Sequence, residues 1–335
     1  MITTNKDLRI DTFHNSDVAY LANSPDRYEV SRQVTIFLCG LKLNPISVSK
    51  YLGRKGCVSL DVRKKLLKNN FVTFAHCQPD GVASKLRQQN WPLAEDYLRR
   101  TYDYPFFNYE KDGWTKDAKM MTDYLTVEQE SSRNRKIESL DYEIYPRSCI
   151  EALECFKACH EYSSLDLVCS AIVATFGVKK AAKISGSTPI YKKTVPSGGG
   201  RHPSECYLID MRNLGAYHYC SGMNSFGRLK KKFTQDDFKR CFGEPNTYVN
   251  FDVNYVVLIT CIWERNMFRY REPRTFRSVH IDAGHAVSNL DILVAGAGLR
   301  SKVQYGMNAV CVEELFDLSP LDEGVMCGLM IGAEK

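Results

Sequence analysis

No apolar run in this 335-residue chain approaches the ~20 residues that a helix needs to cross a bilayer. The longest apolar patches, near Ala171 and Val294, are broken by polar or charged neighbours, so no membrane partner is expected. Met1 to Ile10, with Asn5, Lys6 and Asp7, lacks the apolar core of a secretory signal. The 13 cysteines are odd in number and show no framework spacing, which points to reduced thiols and a cytoplasmic location. Charge of one sign is also scarce. Lys plus Arg total 45 against 39 Asp plus Glu, and the excess of +6 is far below the basic surface of a dedicated nucleic-acid protein. An anionic ligand is allowed; a nucleic-acid partner is not expected. There are no repeats or low-complexity tracts. His280 and His285 are five apart, off the i, i+4 spacing that sets two zinc ligands on one helical face, so no metal is expected. The Gly-x-Ser-x-Gly elbow of hydrolases and the Walker Gly-Lys-Ser/Thr ending are absent too.

What is present is a globular composition. Hydrophobic residues make up 44%, with 19 Tyr and 16 Phe, enough to build a core. The length suggests about two domains at roughly 150 residues each. A polar stretch from Thr115 to Arg135, with Lys116, Asp117, Lys119 and then Glu128 to Ser132, marks a boundary. Residues 1–125 then form one module and 126–335 a second. In the first, Tyr28–Cys39 reads as a strand, Ile46–Tyr51 and Val62–Lys68 as helices around a Gly53–Gly56 turn, and Phe71–Phe74 as a strand. Trp91–Tyr104 reads as a further helix or an arm. This order is winged-helix-like. Its cations Lys50, Arg54, Lys55, Arg63, Lys64, Lys65 and Lys68 form either a solvated face or a dock for an acidic partner. In the second module, Cys149–His160, Leu165–Phe176 and Val279–Leu299 have helical spacing. Cys206–Ile209, Tyr217–Tyr219, Tyr255–Trp263 and Val325–Ile331 suit strands. Interleaved helices and strands indicate an α/β or α+β architecture. Cys155 and Cys159, four apart on the first helix, read as core filler.

Two segments carry the chemistry. Thr194-Val-Pro-Ser-Gly-Gly-Gly-Arg-His-Pro-Ser-Glu205 precedes a strand, and its three glycines permit positive φ and close approach to a flat or anionic ligand. Trp263 to Arg277 leaves the apolar strand with Arg269, Arg271, Arg274 and Arg277 around Tyr270 and Phe276, then enters a helix through His280, Asp282, Gly284 and His285. Together these resemble the nitroreductase-like flavoproteins of the SagB type, the azoline dehydrogenases of ribosomal peptide maturation. The Pro-Ser-Gly-Gly-x-x-x-Pro-x-Glu-x-Tyr pattern is matched from Pro196 through Pro203 and Glu205 to Tyr207. A strand, Arg-rich and Gly-His sequence follows in Tyr255–Trp263, Arg269-Tyr270, Arg274 to Arg277 and Gly284-His285, with Asn289-Leu290 further along. The likeness is strongest to the dehydrogenase of microcin-type azole synthetases and covers about residues 130–335.

The resemblance implies an α+β nitroreductase-like fold, with a central antiparallel-rich sheet flanked by long helices, and a homodimer built on long helices with FMN at its subunit junctions. Small residues at Ala283, Gly284, Ala286, Ala295, Gly296 and Ala297 would let another helix approach closely. FMN would be held by Pro196, Ser197, Gly198 and Gly199 along the ring system, with backbone N–H groups facing its N1 and O2 side. Arg133 and Arg135, with Arg300 and Lys302, would meet its phosphate. The substrate would be a precursor peptide carrying thiazoline or oxazoline rings, with a cyclodehydratase as partner. The family's Lys-Tyr proton-transfer pair is Arg269-Tyr270 here, and an arginine cannot accept a proton in a protein. Tyr270 is then the acid/base candidate, and Arg269 either supports it or binds a carboxylate or carbonyl. Reduction of another substrate with a nicotinamide donor, or a scaffold role without catalysis, are the alternatives.

Overall fold

The computed structural model describes residues 2–5, 7–12, 17–21, 26–53, 57–74, 86, 89–101, 110–127, 135–182, 190–231, 233–244 and 247–334. They belong to two units, Met1–Asn108 and Tyr109–Lys335. In the first, β1 (Ile2–Thr4) pairs antiparallel with β5 (Val72–Phe74), while β2 (Leu8–Thr12), β3 (Asp17–Leu21) and β4 (Tyr28–Val30) form an antiparallel sheet. Helices α1 (Arg32–Leu43), α2 (Val48–Leu52), α3 (Leu60–Lys68) and α4 (Pro92–Thr101) complete the described part. The strand expected over Tyr28–Cys39 stops at Val30. Ser31 caps a helix there by accepting the Val34 N–H, and Val34, Leu38 and Leu41 then bury one helical face. Arg63 is not a surface cation. It is 2% exposed and donates to the carbonyls of Tyr51 and Gly53, leaving Lys50, Lys64, Lys65 and Lys68 exposed. Arg54 and Lys55 lie outside the described residues.

The second unit begins with α5 (Gly113–Val127), so part of the polar stretch expected as a boundary is helical. After β6 (Tyr142–Ile144) come α6 (Cys149–Glu154) and α7 (Ser164–Phe176). The expected Cys149–His160 helix is shorter than its spacing suggested, since Cys155–Lys157 and Cys159–Glu161 are single 3-10 turns. The hairpin β7 (Val178–Ala182) and β8 (Ile190–Lys193) leads through the glycine segment to β9 (Ser204–Asp210), β10 (Gly215–Cys220) and β11 (Ser225–Arg228). Next come α8 (Gln235–Phe242), β12 (Phe251–Ile262), α9 (Glu264–Met267), α10 (Phe276–Gly296), β13 (Arg300–Gln304), α11 (Ala309–Phe316) and β14 (Glu323–Glu334).

Seven strands pair antiparallel in the order β13-β14-β12-β9-β10-β11-β6. Residues 255–261 of β12 are buried without interruption because both faces of the sheet are covered. Successive side chains leave on opposite faces. Leu208, Val257, Ile259 and Leu329 pack with α7 and α10. Ile209, Val256, Leu258 and Met330 pack with α8 and α11 on the other side. The nearly all-apolar α7 fits this: residues 170–176 are buried throughout. Among the described residues, no helix is long and apolar enough to cross a membrane, and the cysteines are free thiols.

Because Leu258 is fully buried in the central strand, Leu258→Ala is expected to lower stability by about 2–5 kcal/mol. Urea denaturation followed by circular dichroism measures it.

Candidate active site

The glycine-rich segment is fixed at both ends by strands, β8 before it and β9 after it. Between them Gly199 and Gly200 have φ of 60° and 64°, and His202 has φ of 50°. A left-handed conformation is open to glycine but costs a side-chain-bearing residue about 1–2 kcal/mol, so His202 must be held. Asp282 of α10 holds one side. Its carboxylate accepts the Ser197 hydroxyl at 2.6 Å and the Gly198 N–H at 3.2 Å, while Ser197 Oγ accepts the His202 N–H at 2.8 Å. Burial pushes the Asp282 carboxyl up, and the bonds from Ser197 and Gly198 oppose that rise.

Arg265 holds the other side. One of its guanidinium nitrogens donates to the His202 carbonyl at 2.9 Å, and its own backbone carbonyl accepts from Arg201 Nε. Arg265 is fully buried and pairs with Glu205 at 2.5 Å. The second Glu205 oxygen receives His218 Nε2 at 2.8 Å, and the Tyr142 hydroxyl lies 2.7 Å from His218 Nδ1. Burial alone would raise the Glu205 carboxyl, but Arg265, His218 and Lys193 outweigh it and hold it at about 2. Burial, with Arg265 adding to it, brings the Lys193 ammonium down to about 8. Lys193 lines a small cavity beneath the loop together with Pro196, Ser197, His202 and Asp282. Burial pushes the His202 imidazole down to about 3, with Lys193 contributing.

Within the loop, the Gly200 N–H donates to Ser197 and the Arg201 N–H to Gly198. The Gly198 N–H is taken by Asp282 and so does not face a ligand. Among the described residues the Gly199 amide has no such partner. Tyr270 lies against that residue: a Cβ on Gly199 would collide with its hydroxyl and ring. The Tyr270 N–H donates to Asn266 at 2.9 Å, which continues the turn of α9. Helix α5 packs here as well. Tyr124 meets Phe268 edge-on at 6.1 Å, and Arg271 lies 4.3 Å over the Tyr124 ring. Arg269 turns its Nε to Met121 of α5, with its guanidinium 5.6 Å from the Tyr270 ring centre.

The structure therefore brings Pro196, Ser197, Gly198 and Gly199 together with Tyr270, and sets Arg269 behind the tyrosine. Arg135 pairs with Glu323, which also accepts the hydroxyls of Tyr207 and Thr260. Arg133 lies outside the described residues. Arg300 and Lys302 are exposed on β13. Lys302 pairs with Met330, six residues along β14 from Gly324, which stands opposite Cys261 beside the loop. At ~3.3 Å per residue that separation is about 20 Å. Sequence reasoning missed Arg265, His218 and Lys193, and weighed Asp282 only beside His280 and His285. Asp282 had a signal: it is the acid among Val279, Ala283 and Ala286, all on the buried face of α10. His280 and His285 are exposed on that helix, and no group of three or more metal-ligating side chains occurs among the described residues.

No protein-family model matches the chain. A search of curated proteins finds the trifolitoxin-processing protein TfxB of Rhizobium leguminosarum bv. trifolii, 27% identical over 187 residues, which are 51% of this chain and 49% of that protein. The chain thus spans about half the length of the curated relative it matches. Among solved structures, a protein of Anabaena variabilis described as a nitroreductase superposes with a TM-score of 0.53 at 19% identity, covering 71% of this chain and 46% of that one. The microcin synthetase McbBCD complex of E. coli, solved with truncated pro-MccB17 bound, gives a TM-score of 0.44 at 13% identity, covering 88% of this chain and all of the matched one. The chain has the nitroreductase-like α+β fold that its motifs led one to expect, and the trifolitoxin-processing relative agrees with the resemblance read in those motifs.

Two outcomes follow from this geometry. Asp282→Ala removes two bonds to a carboxylate, so stability is expected to drop by about 2–3 kcal/mol, and amide exchange at Gly198 and His202 to quicken in mass-spectrometric deuterium uptake. The Glu205 carboxyl sits at about 2 against its ordinary 4.5. The stability it contributes is therefore complete above the higher value and lost as pH falls toward the lower one. Urea midpoints are expected to fall more steeply below about pH 4.5 for the wild type than for Glu205→Gln.

Proposed function

We propose that the chain is an FMN-dependent dehydrogenase of ribosomal peptide maturation that oxidises thiazoline or oxazoline rings to azoles. The observation that carries this reading is the Tyr270 hydroxyl lying against Gly199 of the glycine-rich loop. The loop fits a flat ring system: Gly199 offers an amide with no partner among the described residues, and its missing Cβ makes room for the Tyr270 hydroxyl. Pro196, Ser197, Gly198 and Gly199 would hold the isoalloxazine, though Gly198 acts through Asp282 rather than through its own N–H. The phosphate contacts are assigned to Arg133 and Arg135, of which Arg135 already pairs with Glu323, whereas Arg300 and Lys302, about 20 Å away along β14, do not meet the same phosphate within one chain. FMN, when bound, supplies the two-electron acceptor for a hydride.

The chain's own residues do the rest. Tyr270 moves the ring-carbon proton, and Arg269, which cannot accept one, sets a positive charge beside the phenol ring. Lys193, brought down to about 8, adds positive charge in the cavity it lines with Pro196, Ser197 and His202. The substrate is a precursor peptide and the partner a cyclodehydratase in this reading, and the trifolitoxin-processing relative supports a processing role. The first unit, with Lys64, Lys65 and Lys68 exposed on α3, is proposed to hold the peptide or dock that partner. A homodimer is supported by α10: Ala283 and Ala286 are buried in the core, whereas Ile281 is 57% and Ile292 68% exposed, with Gly284 and Ala295 beside them. A cytoplasmic location completes the proposal.

The purified protein is expected to be yellow and to sediment as a dimer, with its flavin bleached anaerobically by an azoline peptide. A colourless protein that refuses added FMN overturns the proposal, and bleaching by a nicotinamide donor but not by the peptide makes it a reductase. Tyr270→Phe is expected to slow bleaching by about 100-fold or more while FMN stays bound.

A further inference from the structure

Arg265 and Glu205 form a fully buried ion pair, a type of contact that adds little net stability because taking two charges out of water offsets much of their attraction. Its contacts run toward the glycine loop. Arg265 reaches the His202 carbonyl through its side chain and Arg201 through its backbone, so it bridges the two residues where the loop turns into β9. His202 is also the loop residue whose positive φ carries a steric cost, and strain of that kind persists only when the surroundings over-determine it. Behind the pair the polarity is consistent. Ionised Glu205 can only accept, so His218 Nε2 donates to it, while the Tyr142 hydroxyl lies 2.7 Å from His218 Nδ1 and its oxygen accepts the Ile137 N–H. Burial pushes the Tyr142 hydroxyl up to about 12, so it keeps the proton this arrangement requires.

We infer that Glu205 and Arg265 are positioning residues for the ligand seat, clamping the Arg201–His202 turn so that the Gly199 amide faces the ligand, with His218 and Tyr142 as the backing that orients Glu205. This rests on the reading of the loop as an FMN seat. Glu205 is the hub, because its two oxygens meet the guanidinium and the imidazole. Asp282 completes the clamp from α10, so the loop is gripped by one carboxylate directly and by another through an arginine.

The test uses the full chain, with FMN titrated into apoprotein and deuterium uptake followed in both states. Glu205→Gln is expected to weaken FMN binding about tenfold or more, to shift the flavin absorption band, and to quicken exchange at Gly198–His202 about tenfold, with β12 still protected. If that variant does not fold, Tyr142→Phe, which removes one hydrogen bond at the far end, is expected to quicken loop exchange about threefold or more. Loop exchange and FMN affinity equal to wild type, even with stability lowered, overturn the inference and leave the pair a core element. A wild type that takes no FMN defeats the functional proposal instead, and the exchange comparison still decides the positioning role.

Discussion

One buried carboxylate organises the centre of the larger unit. Glu205 is 5% exposed, and a lone ionised carboxylate at such depth would cost several kcal/mol. It stays ionised because Arg265 and His218 meet its two oxygens. That requirement reaches outward. Arg265 must leave β12 at its C-terminal end to arrive under β9, and His218 must come from the neighbouring strand β10. Both depend on an antiparallel register that sets Tyr207 opposite His218 on one side and Thr260 opposite Glu205 on the other. A one-residue slip would turn Glu205 to the other face of the sheet and unpair it. The ion pair thus gives the sheet a reason to hold a single register where its apolar strands alone would tolerate several.

The same charges make the glycine loop more than a flexible connection. Three residues within four positions have positive φ, which in solvent would be a floppy turn. Asp282 on one side and Arg265 on the other convert it into a fixed surface on which most amides are already satisfied. Among the described residues the Gly199 N–H, like that of Ser197, is left over, and Tyr270 covers Gly199.

The fold was largely legible in the sequence where the physics is local. Tyr255–Trp263 reads as a buried strand because β-branched and apolar residues run without a polar break, and Leu165–Phe176 reads as a buried helix for the same reason. Local cues also account for the errors. Val34, Ile36 and Phe37 alternate weakly, but the Ser31 cap and the tertiary contacts of Leu38 and Leu41 decide for a helix. The glycine segment and Tyr270 were legible as motifs. What joins them was not: Ser197 and Asp282 are 85 residues apart, and Arg201 and Arg265 are 64 apart. No spacing rule links such pairs. They become neighbours only through the packing of α10 and β12 on β9.

Helix α5 shows how the polar surroundings of the site divide its labour. Its Lys116, Asp117 and Lys119 belong to a helix whose Met121 and Tyr124 face the segment after α9. With Arg269 turned to Met121 and Arg271 laid over Tyr124, two of the arginines at the strand's mouth are anchored to this helix. Tyr270, between them in sequence, is the side chain left to face the loop. An arginine at position 269 therefore does not imply that chemistry has been lost. Its charge lies within 6 Å of the phenol ring, where a cation is attracted to the ring's face, and its long stem ties the tyrosine's backbone to α5. A lysine there would offer a proton acceptor with a weaker hold on the helix. The arginine gives up the acceptor and keeps the anchor, beside the hydroxyl that stands against Gly199.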